Sequence, residues 1–227
     1  MRSELASTVL VMLCAAALGT PGQVEGGDVI PLPEPQRTGE VSVEEALEAR
    51  RSVRSYASAP LELETIGQLS WAAQGITRPG PDYRTAPSAG ATFPIEIDLL
   101  IHGLDDEVET GVYRYLPGEH ALRKRFAGDH RNALRWAALR QRPVVDAPVV
   151  MVISGVTART EDRYRGRAER YVYMEAGHVA QNVYLQGVPL GVGTVVIGAF
   201  WDAQVSRVLR LEDGEAPLYI LPLGKVE

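Results

Sequence analysis

Ile95-Glu96-Ile97-Asp98-Leu99-Leu100-Ile101 is the stretch on which the fold class turns. Ile95, Ile97, Leu99 and Ile101 alternate with Glu96 and Asp98, the period-two pattern of a half-buried strand. Working outward, strands are expected at 112–116 and 121–126, joined by the turn Pro117-Gly118-Glu119-His120. Val149 to Ile153, between Pro148 and Gly155, reads as a short buried strand, and Leu218 to Leu223 as a final one. Helical patterns flank this run. Ser42-Val43-Glu44-Glu45 has the form of a capping box and opens a helix reaching Ala49. Pro60 opens a second pattern, with Ile66, Leu69, Ala73 and Ile76 at helical spacing and Gly75 marking its end. A helix from Asp129 to about Arg140 stops before Pro143, and a long, largely buried one runs from about Glu169 to Gln186. Asp202 is expected to cap a short helix reaching Leu209. Helices, a run of strands, helices and a last strand make an α+β order rather than a doubly wound parallel sheet.

The chain has 227 residues, 45% of them hydrophobic and 23% charged, enough for one domain with a sizeable core. A net charge of −6 excludes the broad basic field that holds nucleic acid. The single cysteine, Cys14, lies in an apolar run, which excludes a disulfide framework or a thiolate metal cluster in the body of the protein. The four histidines, at 102, 120, 130 and 178, have no ligand spacing, so no metal site is expected.

Residues 1–19 read as a secretory signal peptide. Arg2 precedes an apolar stretch from Leu5 to Leu18, too short to span a bilayer comfortably, and Ala17-Leu18-Gly19 offers small residues for cleavage. An exported location, periplasm or cell envelope, follows, with no membrane span in the mature chain. Lipidation of Cys14, or an apolar helix packed on the domain, are the alternatives. Residues 20–41, rich in Pro and Gly, read as a linker or extended arm, and 42–227 as the folded domain.

Three segments carry candidate chemistry. Arg50-Arg51-Ser52-Val53-Arg54 places three guanidiniums and a hydroxyl together, which suits a phosphate; cations after a helix also satisfy its last carbonyls. Pro87-Ser88-Ala89-Gly90-Ala91-Thr92 lies in a long loop whose small side chains leave backbone amides open to a flat ring; an ordinary surface loop is the other reading. Gly191 to Phe200 misses the GxGxxG spacing and follows a helix. It is either a flat apolar run, in which Val196, Ile197, Gly198 and Ala199 stack along a ring, or a buried strand. Lys225 adds a cation near the C-terminus. The basic segment 157–170 reads as mobile and exposed. Glu175 and Asp146 are carboxylates able to do acid–base work, but nothing in the sequence pairs them.

In this order the segments resemble the nitroreductase family of FMN flavoproteins, from about Val41 to Val226. Arg50-Arg51-Ser52-Val53-Arg54 resembles that family's phosphate and ribityl contact, Val188 to Phe200 its ring-lining segment, and Leu218 to Lys225 its last core strand and the basic residue beyond. Pro87-Ser88-Ala89-Gly90-Ala91-Thr92-Phe93-Pro94 and Met174-Glu175-Ala176-Gly177-His178-Val179-Ala180-Gln181-Asn182 resemble the SagB-type dehydrogenase branch, which oxidises thiazolines and oxazolines in peptides. The resemblance implies a nitroreductase-like fold, a mixed, mostly antiparallel sheet flanked by helices, with FMN at a homodimer interface. It implies an oxidoreductase moving hydride or electrons between a reduced donor, NAD(P)H being a candidate, and a small organic or peptide substrate. Arg50, Ser52, Arg54 and Lys225 would hold the phosphate and ribityl chain, with Arg51 joining them or facing solvent. Pro87, Ser88, Ala89, Gly90, Ala91, Val196, Ile197, Gly198 and Ala199 would flank the ring. The 157–170 segment would be a substrate-facing lid, and Tyr164 a proton donor. Arg163-Tyr164 stands where the SagB branch carries a Lys-Tyr pair, and an arginine does not surrender its proton at working pH. That departure tells against azoline oxidation. A non-catalytic flavin-binding envelope protein is the reading from another class.

Overall fold

The computed structural model describes residues 28–78, 83–102, 104 and 108–227. The reading of residues 1–19 lies outside them. The central sheet has seven strands in the order β1-β6-β5-β4-β7-β9-β8: β1 (Val29–Pro31), β4 (Ile95–Ile101), β5 (Gly111–Leu116), β6 (Ala121–Ala127), β7 (Val149–Val156), β8 (Val192–Thr194) and β9 (Glu215–Lys225). Neighbouring strands pair antiparallel; parallel bridges join Ser52 to Thr194, beyond β8, and Leu61 to Leu104. A short hairpin, β2 (Ile76–Arg78) and β3 (Tyr83–Arg84), stands apart from the sheet.

Helices cover both faces. On one side α2 (Leu63–Gln74) and α6 (Ala168–Gly187) pack on Ile95, Ile97, Leu99 and Ile101 of β4. On the other side lie α3 (Arg131–Ala137), α4 (Pro143–Asp146) and α7 (Asp202–Leu209), around Leu100, Val112, Val150, Val152 and Ile220. The strand at 95–101 is therefore not half-buried: it lies inside the sheet, and of its residues only Glu96 keeps partial exposure. Period-two alternation mistook Asp98 for a solvent-facing residue. Asp98 is fully buried because it is fully paired. Arg114 donates to it bidentately, at 2.8 Å to each oxygen, and Arg125 adds a third bond at 3.0 Å. The same Arg114 reaches Glu215 at 2.8 Å and Glu96 at 3.1 Å. Ser154 also donates to Glu215, and Arg159 closes the network on Glu96.

Other boundaries shift for local reasons. The capping box at Ser42 forms as read and opens α1 (Val43–Ala49). The helix expected to Arg140 ends at Ala137, where Leu139 and Arg140 take left-handed backbone, and Pro143 starts α4 at a position where its missing N–H costs nothing. Asp202 lies in the first turn of α7; Trp201 holds the cap position without a side-chain bond. The described part of the arm is an edge strand: β1 pairs with β6, and buried Leu32 packs on Gly67 of α2. The 157–170 segment is mostly exposed, as its charges suggest, and has regular structure. It forms α5 (Ala158–Tyr164), a 3₁₀ turn at Arg165–Arg167 and the start of α6. Thr160 is buried and bonds Thr92, and Arg159 donates to the Phe93 carbonyl at 3.0 Å. Among the described residues no helix is long and apolar enough to cross a membrane.

Removing Arg114 leaves Asp98 and Glu215 charged in the dry interior of the sheet. Arg114→Met is expected to cost about 3–5 kcal/mol, read as a lower urea midpoint at unchanged slope. Replacing Arg123, whose pairing with Glu119 is exposed and loose at 3.8 Å, is expected to change the midpoint by less than about 0.5 kcal/mol.

Candidate active site

The arginine cluster leaves the end of α1 and runs beside the sheet. Ser52 bridges to Thr194, and the Val53 amide donates to the Thr194 carbonyl at 2.8 Å. Gly193 is obligatory in this contact, since a Cβ there would come within 2.7 Å of the Val53 side chain. The three arginines differ in situation. Arg50 lies over the Tyr184 ring, 5.1 Å from its centroid. Arg51 turns back and donates to the carbonyls of Glu48 and Arg50, ending α1 in the way the alternative reading of the cluster describes. Arg54 makes one long bond to the Ser52 carbonyl, 3.4 Å. Among the described residues no carboxylate pairs with any of the three. Lys225 is engaged: it donates to Glu62 at 3.1 Å, which holds the Glu62 carboxyl below its ordinary range.

Tyr184 of α6 organises this corner, and the sequence reading missed it. Its hydroxyl accepts from the Val196 amide at 3.0 Å and lies 3.0 Å from Ser52 Oγ. One phenol thus ties the arginine cluster to the 196–199 run. Nothing in spacing or composition singles out a tyrosine late in a helix; only the fold brings positions 52, 184 and 196 together. Beside it the Thr194 hydroxyl is buried with no partner. The run itself leaves the sheet after β8, touches it once more where Ile197 bridges Ile220, and then exposes Gly198 and Ala199. A cavity of about 300 Å³ follows, lined by Tyr173 and Ala176 of α6, by Gly198 and Phe200, and by Leu218 and Tyr219 of β9. Tyr173 and Tyr184 share a face of α6 about three turns apart, roughly 16 Å. A groove therefore runs along that face. Uncommitted guanidiniums and hydroxyls lie at one end; at the other is a flat floor with a mixed cavity, whose wall also carries Thr157, Glu169 and Asp202.

The 87–91 loop is elsewhere. Glu175 and Asn182 lie on the opposite face of α6: Asn182 donates to the Thr85 carbonyl at 3.2 Å, and Glu175 stands by Ser88, Gln74 and Arg84. Ser88 precedes a 3₁₀ turn, Ala89–Ala91, in which Gly90 has φ 61°. Arg163 donates to the Gly90 carbonyl at 3.2 Å, and a Cβ on Gly90 would meet Arg163 and come within 2.9 Å of the Tyr164 hydroxyl. The structure thus brings Ser88, Ala89, Gly90 and Ala91 to Arg163 and Tyr164, and Tyr164 packs edge-on against Tyr171 at 4.7 Å. It does not bring them to Val196–Ala199 of the same chain. Burial pushes the Glu175 carboxyl up to about 7; Ser88, Gln74 and Arg84 oppose the shift. Its Oε1 atom has no partner. Asp146, the other carboxylate considered, lies at the end of α4, paired with Arg142 at 3.3 Å.

The whole arrangement has known relatives. The nitroreductase family matches residues 47–225. A Methanocaldococcus jannaschii protein named as a nitroreductase is 41% identical over 186 residues, covering 82% of this chain and 92% of its own. The microcin B17-processing protein McbC of Escherichia coli is 28% identical over 173 residues, 73% of this chain and 63% of that one. A crystal structure named as a nitroreductase, from Ralstonia eutropha, superposes with a TM-score of 0.77 at 28% identity, covering 94% of this chain and 96% of its own. With the family matched across nearly all of its described sheet and helices, the chain belongs to the nitroreductase family.

Proposed function

We propose that this protein is an FMN-dependent oxidoreductase, working as a homodimer, that passes hydride or electron pairs from a reduced donor such as NAD(P)H to a small organic acceptor. Membership in the nitroreductase family implies flavin-dependent redox chemistry. The observation that carries the finer reading is the groove along α6, with its unpaired arginines and unpartnered Thr194 hydroxyl at one end and exposed Gly198 and Ala199 at the other. FMN bound there supplies the redox chemistry. The chain supplies binding and orientation. Arg50, Ser52 and Arg54 hold the phosphate and ribityl chain, Tyr184 fixes Ser52 relative to the floor, and Val196–Ala199 lie under the ring. Lys225 joins the grip by leaving Glu62, an exchange between exposed groups that costs little.

The second copy follows from the geometry of α6. Glu175 and Tyr184 are about two and a half turns apart, so their side chains leave the helix in opposite directions. If Ser88–Ala91 and Val196–Ala199 flank one ring, they come from different chains. The open face of α6 between them, with Met174 54% exposed and empty space above Gly177, is where a second α6 would pack. Arg163 and Tyr164 then face the substrate, with Tyr164 the proton donor. Similarity to McbC supports a second reading, azoline oxidation on a peptide, for which Tyr164 alone would have to move the proton that Arg163 cannot. Export to the periplasm or envelope, read from residues 1–19, belongs to the same proposal and is tested by cell fractionation.

Purified protein is expected to be yellow, to bind FMN and to oxidise NAD(P)H with a quinone or nitroaromatic acceptor. A protein that stays colourless with excess FMN sinks the proposal; a yellow one without turnover is a flavin-binding protein only. Removal of two hydrogens from a heterocyclised peptide, seen by mass, would establish the second reading. Arg54→Ala is expected to weaken FMN binding about 10–100-fold, the range for one charge-assisted contact.

The dimer has its own test. Arg54→Ala breaks the grip and Gly90→Val breaks the loop, since a β-branched residue does not adopt φ near 60° without strain. Co-expressing the two variants is expected to restore flavin to one of the two sites in each mixed dimer, about a quarter of all sites for random pairing, because that site draws on both intact halves. No restoration means that grip and loop belong to the same chain.

A further inference from the structure

Glu175 is the buried titratable group that the proposed chemistry leaves without a task. Only 2% of it is exposed, and Oε1 faces no donor. Above it lies an unusual turn. Gly90, Ala91 and Phe93 have φ of 61°, 54° and 44°, and two of the three carry side chains that disfavour this region. Such backbone persists where the surroundings over-determine it, characteristically at ligand clamps. Here the restraints are specific. Ser88 Oγ accepts from the Phe93 amide at 2.9 Å, Thr92 Oγ1 donates to the Ala89 carbonyl at 3.0 Å, and Arg163 and Arg159 bond the carbonyls of Gly90 and Phe93. Ser88 is the residue common to the turn and to the Glu175 carboxyl.

We propose that Glu175 is a positioning residue that, through Ser88, holds the 89–93 turn closed while its carboxyl is neutral and releases the turn when it ionises. The proposal rests on the reading of Ser88–Ala91 as a flavin-facing loop. A neutral carboxyl tolerates one oxygen without a partner in a dry site, whereas an ionised one does not. Opening the turn lets water reach Oε1. The groups around the carboxyl are few. Arg84 on β3 is the charged one, Gln74 on α2 and Ser88 are polar, and Tyr171 and His178 lie one turn away along α6 itself. Burial raises the carboxyl from 4.5 to about 7 and outweighs Ser88, Gln74 and Arg84, all of which favour the ionised form. Closure therefore binds a proton. Between pH 4.5 and 7 the closed protein holds more protons than the open or unfolded one, so closure is complete at low pH and is lost as pH rises through about 7.

Hydrogen exchange on the peptide covering 89–93 reads this without catalysis. In the protein without added flavin, protection of these amides, corrected for intrinsic exchange, is expected to fall about tenfold between about pH 6 and about pH 8, the linkage of one proton. Glu175→Gln, neutral at every pH, is expected to keep its protection throughout and to lose the matching decline in FMN affinity measured by fluorescence quenching. An equal pH response in the parent and in Glu175→Gln overturns the proposal. If Glu175→Gln does not fold, Gln74→Glu sets a second carboxyl beside the first and must raise the midpoint of the exchange transition; an unmoved midpoint also overturns it. Failure of FMN to bind the parent, with the exchange response intact, would instead sink the flavin reading and leave the Glu175 switch standing.

Discussion

Glu175 and Tyr184, about two and a half turns apart on α6, are half a turn out of phase, and the plan of the candidate site follows from that phase. A helix in the core of an α+β domain offers one face to the sheet and a flank on either side. On α6 the core face holds Val172, Ala176, Val179 and Val183 against the strands. One flank carries Tyr173 and Tyr184 toward the run after β8; the other carries Glu175 and Asn182 toward the loop before β4. Two kinds of polar chemistry are thereby held on one rigid element and kept from each other by the width of a helix. On the proposed reading these are two half-sites, and a twofold axis along the open face of α6 would join them.

The sheet beneath supplies the rigidity. Asp98, Arg114, Arg125, Glu215 and Glu96 cross-link β4, β5, β6 and β9, and Arg159 carries the network up to α5. α5 in turn holds the strained turn at 89–93 through Arg159 and Arg163. The buried ions therefore do more than fill a polar gap in the core: they fix the register from which the loop is built. A hydrophobic replacement of similar volume could match the network in stability. It could not reproduce the connection to the Phe93 carbonyl.

Much of this was legible in the sequence, and the exceptions have physical causes. Elements with strong local signals came out in place: the capping box at Ser42, the long helix before Gly187, the strand at 95–101, and the strand read at 149–153, which runs on to Val156. Asp98 was misread because alternation reports the chemistry of a side chain and not its partner, and its partners lie on β5 and β6. The 157–170 segment is mostly exposed, as its charges suggest; they did not show that helix α5 spends Arg159 and Arg163 on contacts distant in sequence. Arg50, Ser52 and Arg54 stood out as candidates because their donors lie close together in the sequence. Tyr184 was not, because its role depends on one hydroxyl meeting two segments that only the folded sheet brings near.

The distribution of charge offers a last argument. An acidic chain, net −6, has carboxylates to spare, and most of its half-buried cations are paired with them. Leaving Arg50 and Arg54 without a carboxylate is therefore a property of this corner and not a shortage of acid. The nearby Lys225 shows the contrast, since it lies on the same edge and is neutralised by Glu62. Guanidiniums suit the uncommitted role better than an ammonium. Their charge is permanent, they are weakly hydrated, and their planar forks match phosphate oxygens in pairs. Arg50 meanwhile rests on the Tyr184 ring, which steadies a cation without neutralising it. The corner is thus kept positive and ordered within a negative protein, the condition under which an anionic tail is drawn to one place on the surface.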